Sequence, residues 1–273
     1  MVPSLDVAFG NLRMILQEVA EALRGFSFDQ VEEGFRILRD DSPEGGFFIL
    51  NLEENANPIS EGTLELIKDS KRVYVPSRFA LTAAPILNDI GFSKTMQSLS
   101  IFHKQTGMDP LILDEILDTP LSVKTFSFSQ RGKVERMYER LDLLPGLIKN
   151  TQKTFYSMKG VNSHSSIVER IPRALLHLFD GKFWVLEDYY ENFLACAITV
   201  PTKFPNNEQG ISVFYLLTPP DSFKPNYGNI LLANIELQER CDSMLVYDEG
   251  DRQTVDTKFG FELVETFKMY VNF

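Results

Sequence analysis

Cysteine is nearly absent from this chain of 273 residues: Cys196 and Cys241 are the whole supply. Two thiols cannot build a disulfide framework, which points to a reducing compartment. Histidine is also scarce, and His103, His164 and His177 have no Cys, Asp or Glu at ligand spacing. That argues against a metal site. No stretch of about 18 apolar residues occurs, and no basic segment followed by an apolar run opens the chain. The expectation is a soluble, cytoplasmic protein. Basic residues are the minority, 27 against 38 acidic, for a net charge of −11. Nucleic acid and anionic membranes both need clustered Lys and Arg, so neither is expected as a partner.

What the chain does have is a hydrophobic fraction of 44 % and 22 phenylalanines, most of them in strand-like runs. That is enough apolar material for two modest cores or one large one. It also has a repeat. The first copy runs through Gly46-Phe47-Phe48-Ile49-Leu50, a loop ending at Gly62, the short strand Val73-Tyr74-Val75, an apolar helix and Gly91-Phe92. The second runs through Gly210-Ile211-Ser212-Val213-Phe214-Tyr215-Leu216-Leu217, a loop ending at Gly228, the strand Met244-Leu245-Val246-Tyr247 and Gly260-Phe261. The intervals nearly match: 62 − 46 = 16 against 228 − 210 = 18, and 91 − 62 = 29 against 260 − 228 = 32. A period this long means two copies of a domain rather than a solenoid.

Spacing of apolar residues predicts an amphipathic helix over 11–24, stopped by Gly25. A short helical stretch is expected at 29–33. Strands are expected over 35–39 and 46–52, joined by turn residues 41–45. Residues 104–120 read as the connection between copies. Beyond it come a strand over 121–127, helices over 133–143 and 165–179, the second interrupted near its start by Pro172, and a hairpin of 183–187 with 193–200. The repeat unit follows, with a helix over 230–240 and a last strand over 262–271. This order describes an α+β domain on a mostly antiparallel sheet.

The order strand, loop, helix, strand, helix, Gly-Phe, strand resembles the GNAT superfamily of acyl-CoA N-acyltransferases. The resemblance is fuller over 121–273 than over 26–103. It implies two GNAT-like domains, 1–103 (truncated) and 121–273, with 104–120 as linker. Each would be a mostly antiparallel sheet with splayed central strands flanked by helices. Its phosphate-loop pattern, Gln/Arg-x-x-Gly-x-Gly/Ala, is degenerate here. With Gly228 on the first glycine, Pro225 and Ile230 stand at the flanking positions; with Gly62, Ile59 and Leu64 do. Glu53 and Glu54 in the first loop would repel a pyrophosphate. The tyrosine that the family often places four residues before the Gly-Phe is Asp256 in one copy and Leu87 in the other.

By resemblance, acetyl-CoA is the co-substrate. It would lie along Leu216, Leu217 and Thr218 and across Asn226, Tyr227, Gly228, Asn229 and Ile230. An amine-bearing small molecule or protein is the acceptor, entering along Trp184 to Asp188, with no metal. The chemistry needs a base for the amine and a donor toward the sulfur. Glu187, Asp248 and Glu249 are candidate bases, and Tyr215 and Tyr247 candidate donors. The strands at Tyr215 and Tyr247 should then part in a V. A monomer or homodimer is expected. The rival reading, suggested by the damaged motif, is an inactive GNAT-like binding or scaffold protein.

Overall fold

The computed structural model describes residues 5–23, 25–39, 46–50, 59–105, 121–127, 167–204, 208–218, 227–250 and 255–272. Eleven strands form one sheet: β1 (Phe26–Val31), β2 (Gly34–Arg39), β3 (Gly46–Leu50), β4 (Ser70–Pro76), β5 (Phe92–Gln105), β6 (Ser122–Phe126), β7 (Lys182–Glu187), β8 (Phe193–Lys203), β9 (Gln209–Leu217), β10 (Ser243–Gly250) and β11 (Glu262–Asn272). Among the described residues five α-helices flank it: α1 (Leu5–Ala22), α2 (Glu61–Lys68), α3 (Ala80–Asp89), α4 (Ile167–Leu178) and α5 (Tyr227–Glu239). The sheet is largely antiparallel; only the pairs β3–β4 and β9–β10 run parallel. The expected α+β class, a mostly antiparallel sheet flanked by helices, is what the chain adopts, with the strands of both copies joined in one sheet.

The sheet order is β1-β2-β3-β4-β11-β5-β10-β9-β8-β7-β6. It reads nearly the same from both ends about the β11–β5 pair, so the two copies of the repeat are related by a pseudo-two-fold axis there. The match extends to single rungs. Gly46 pairs with Ser70 in one copy, and Gly210 with Ser243 in the other. Each copy gives up its final strand. β5, the end of the first copy, lies between β10 and β11 of the second; β11 lies between β5 and β4 of the first. The glycine before each exchanged strand, Gly91 at φ 95° and Gly260 at φ 79°, takes a left-handed conformation that a side chain would strain.

One face of the sheet is covered by α1 and α4. Ala8, Phe9, Leu12, Ile15, Leu16, Val19 and Ala20 of α1 pack there with Phe35, Tyr74, Tyr215, Tyr247 and Phe267. Burying each large apolar side chain contributes roughly 1.5–3 kcal/mol. The opposite face carries α5 over the second copy, with Leu231, Leu232 and Ile235 buried, and α2 and α3 over the first, with Ile67, Ala83 and Leu87 buried. A buried ion pair joins the copies on this side: Lys104 Nζ of β5 lies 2.7 Å from Glu236 Oε2 of α5.

Some elements differ from the sequence expectation. Residues 26–31 are strand β1, not a helix over 29–33, because the edge strand pairs along its whole length with β2 and tertiary pairing overrides local propensity. α1 begins at Leu5, six residues earlier than the apolar period indicates. α4 passes through Pro172 without interruption. The expected turn over 41–45, most of the connection 104–120 and the helix over 133–143 lie outside the described residues.

Candidate active site

β9 and β10 pair in parallel through four rungs, from Gly210–Ser243 to Val213–Val246. There the ladder stops, although β9 continues to Leu217 and β10 to Gly250. The two strands diverge in a wedge whose walls are residues 214–217 and 247–250. The cause is visible one residue beyond the last rung. On the other side of β9, Cys196 pairs with Leu217 and Ile198 with Phe214, so β9 carries an extra residue. This is a β-bulge, and Tyr215 within it has φ 54°, a left-handed conformation. A bulge bends the strand and re-aims its side chains, which turns β9 away from β10.

Tyr215 is 1 % exposed. Burial, and then the charge of nearby Glu249, push its hydroxyl well above the usual tyrosine range. Tyr247 is buried as well; its ring stacks on Phe214 at 4.8 Å, and its hydroxyl donates to the carbonyl of Ala8 in α1 at 3.0 Å. Burial raises this phenol too. Phe214 and Tyr247 thus bridge the wedge at its apex on the α1 face. Glu249 accepts a 2.9 Å hydrogen bond from the Tyr74 hydroxyl, and both residues are buried. Tyr74 belongs to β4 of the first copy, where Val73-Tyr74 matches Val246-Tyr247 of the second.

The remaining sequence candidates are spread more widely. Glu187 ends β7, three strands from β10 and so about 14 Å across the sheet. It is buried and pairs with Lys124 of β6. Asp248 is buried on β10 beside Glu249. Leu216 and Leu217 are buried in the wedge wall, and Thr218 is half-buried just past it. α5 opens at Tyr227, three residues before the expected start, and Gly228, Asn229 and Ile230 of its first turn are buried. Asn229 Oδ1 accepts from the amide of Asp256, tying that turn to the segment after β10. Asn226 lies outside the described residues. Reasoning on the sequence missed Tyr74: its only signal was the repeated Val-Tyr.

The equivalent helix N-terminus of the first copy is filled by the protein itself. Ser60 caps α2, and Glu33 accepts from the Ser60 amide at 3.1 Å and the Thr63 hydroxyl at 2.6 Å. Those hydrogen bonds outweigh partial burial and hold the Glu33 carboxyl below its usual range. Elsewhere, a cleft of about 460 Å³ lies over the exchanged strands, lined by Ser98, Ser100, Glu265, Thr266 and Lys268 among others. None of the sequence-predicted residues lines it. Cys241 is buried, and its thiol is pushed up to about 11. Among the described residues no cluster of His, Cys, Asp and Glu is placed to hold a metal ion, and no helix is long and apolar enough to cross a membrane.

No family model and no curated protein matches this chain. Solved structures do match it in shape. A GCN5-related N-acetyltransferase from Kribbella flavida superposes with a TM-score of 0.56 at 10 % identity, over 98 % of this chain and 96 % of its own. A conserved protein of unknown function from Staphylococcus epidermidis gives 0.54 at 9 %, over 92 % and 96 %. The glucosamine N-acetyltransferase region of a fungal multi-domain β-N-acetylglucosaminidase gives 0.52 at 9 %, over 94 % of this chain and 34 % of that one. The parted strands and the following helix stand in the order that the sequence resemblance implied; the bulge was not part of that expectation. The chain has the fold of the GCN5-related N-acetyltransferases, built as two pseudo-symmetric units that exchange their last strands.

Proposed function

We propose that this protein is an acyl-CoA-dependent N-acyltransferase that moves an acetyl group from coenzyme A to an amine at the wedge of the second unit. The observation that carries this reading is the β9–β10 ladder ending at Val213–Val246 while both strands run on. Past the last rung β9 and β10 no longer pair with each other, and an extended chain would enter between them. A pantetheine arm is an extended chain with amide groups, and it pairs with such a strand as another strand would. The pyrophosphate would follow at the start of α5, where first-turn amides and the helix dipole favour an anion. The contacts would be Leu216, Leu217, Thr218, Asn226, Tyr227, Gly228, Asn229 and Ile230.

The thioester would then lie near the bulge. Tyr215, held protonated across the neutral range by burial, would donate a hydrogen bond toward the departing sulfur. Tyr247, committed to Ala8, would shape the apex instead. The first unit would bind no coenzyme, because Glu33 already stands at the N-terminus of α2. A net charge of −11 suits a cationic amine acceptor.

The Phe214–Tyr247 stack across the apex supports a second reading, a scaffold that keeps the fold without turnover. The test is release of free thiol from acetyl-CoA across a panel of primary amines and polyamines, with Thr218→Trp as the blocked control. Thr218 is the better place to block, because Gly228 is buried and an indole there would disturb α5. Amine-dependent thiol release that the tryptophan abolishes supports the transferase. Acetyl-CoA binding without release, for any amine, supports the scaffold.

A further inference from the structure

A buried carboxylate stands in the diverging part of β10 and is held from the other unit. Glu249 lies three residues past the last β9–β10 rung, and its strand alternation puts it on the same face as Tyr247, under α1. The Tyr74 hydroxyl reaches its Oε1 at 2.9 Å from β4, although β11 and β5 lie between β4 and β10. Titratable side chains near it on this face include Tyr74 and Tyr215. It is 1 % exposed, one of four buried carboxylates among the described residues with Glu187, Glu236 and Asp248, and the one that lies past the last β9–β10 rung with a tyrosine of the other unit on it. Burying an acidic group among aromatic rings costs stability, and a fold keeps such a group where it does chemistry more often than elsewhere.

Resting on the transferase reading, we propose that Glu249 is the general base for the amine and that Tyr74 positions it, so that the second unit's site is completed by the first. The amine nitrogen attacks the thioester carbonyl carbon and a C–N bond forms. The nitrogen gives its proton to a Glu249 oxygen. The C–S bond then breaks, and the departing thiolate takes that proton to leave as coenzyme A thiol. Nothing is oxidised or reduced, and the carboxylate returns to its starting state. The duplication then has a function for the first unit, which binds no coenzyme but supplies the residue that orients the base.

The experiment uses the full-length protein with Glu249→Gln and Tyr74→Phe, each checked for native circular dichroism. Acetyl-CoA affinity is measured by calorimetry, and thiol release is followed with saturating propylamine between pH 6 and 9.5. Expected for Glu249→Gln is a loss of about 100-fold or more in release, with affinity for acetyl-CoA unchanged. Tyr74→Phe removes a hydrogen bond to the ionised base, so the acid limb of its pH profile should move up by about one pH unit. Tyr74 acting through packing alone would lower the profile without moving the limb, which overturns its positioning role. Wild-type turnover that survives Glu249→Gln overturns the base assignment and leaves the transferase reading standing. Acetyl-CoA binding without any thiol release from the wild type also overturns it. Wild type that does not bind acetyl-CoA removes the transferase reading, and this inference with it.

Discussion

Tyr74 and Tyr247 occupy matching positions in the two units, yet their hydroxyls go to opposite units: Tyr74 to Glu249 of β10, Tyr247 to the carbonyl of Ala8 in α1. Both are buried on the same face. Each therefore stitches one half of the molecule to the other. A buried hydrogen bond to a charged acceptor contributes about 1.5–3 kcal/mol. Tyr74→Phe should lower unfolding stability by that order, and Tyr247→Phe, which loses a neutral acceptor, by about 1 kcal/mol. Urea denaturation of the two variants checks the ranking; equal losses would contradict it.

The strand exchange makes the halves interdependent. A fragment of 121–273 lacks β5, the strand between β10 and β11. A fragment of 1–120 lacks β11 beside β4. Neither should give a folded monomer alone, and the two expressed together should co-purify as one complex. Gel filtration with circular dichroism decides. A stable monomer from either fragment would show that the exchange is dispensable.

Lys104 and Glu236 form a buried ion pair between β5 and α5, with side chains 4 % and 8 % exposed, and Lys104 Nζ lies 5.5 Å above the Phe261 ring. Removing one charge strands the other. Lys104→Met should cost about 3–5 kcal/mol, while Lys104→Met with Glu236→Leu should come back close to wild type. Thermal or chemical unfolding of the two variants measures the difference.

His103 is buried on β5, with Nε2 2.9 Å from the Ser243 hydroxyl. Burial lowers its folded-state value below the usual 6.5. Its contribution to stability is therefore complete above about pH 6.5, where both states hold a neutral ring. Below that, the unfolded chain takes up the proton first and stability falls until the folded value is reached. His103→Gln should flatten the slope of stability between pH 7 and 5.5, read from urea midpoints at fixed ionic strength.

The repeat was legible because it was written in special residues. Gly91 and Gly260 announce left-handed turns, Gly46 and Gly210 open equivalent ladders, and Tyr74 and Tyr247 follow a valine at matching places in the repeat. Strand periodicity and the strand–helix–strand order then sufficed for the fold class. The exchange of β5 and β11 was not legible, since swapped and unswapped partners present the same apolar alternation to a neighbour. Nor was the bulge: Tyr215 carries no glycine to signal its positive φ. The site suffered for the same reason. Glu187 and Glu249 look alike as strand-end carboxylates, and only the strand order places one at the wedge and the other three strands away.

On the transferase reading one unit, and one only, takes coenzyme A. Titration calorimetry of the full chain with acetyl-CoA tests it most directly. A single site per chain is expected, lost in Thr218→Trp and retained in a Glu33→Gln variant as the first-unit control. Absence of binding at millimolar acetyl-CoA, or two sites per chain in the wild type, would contradict it.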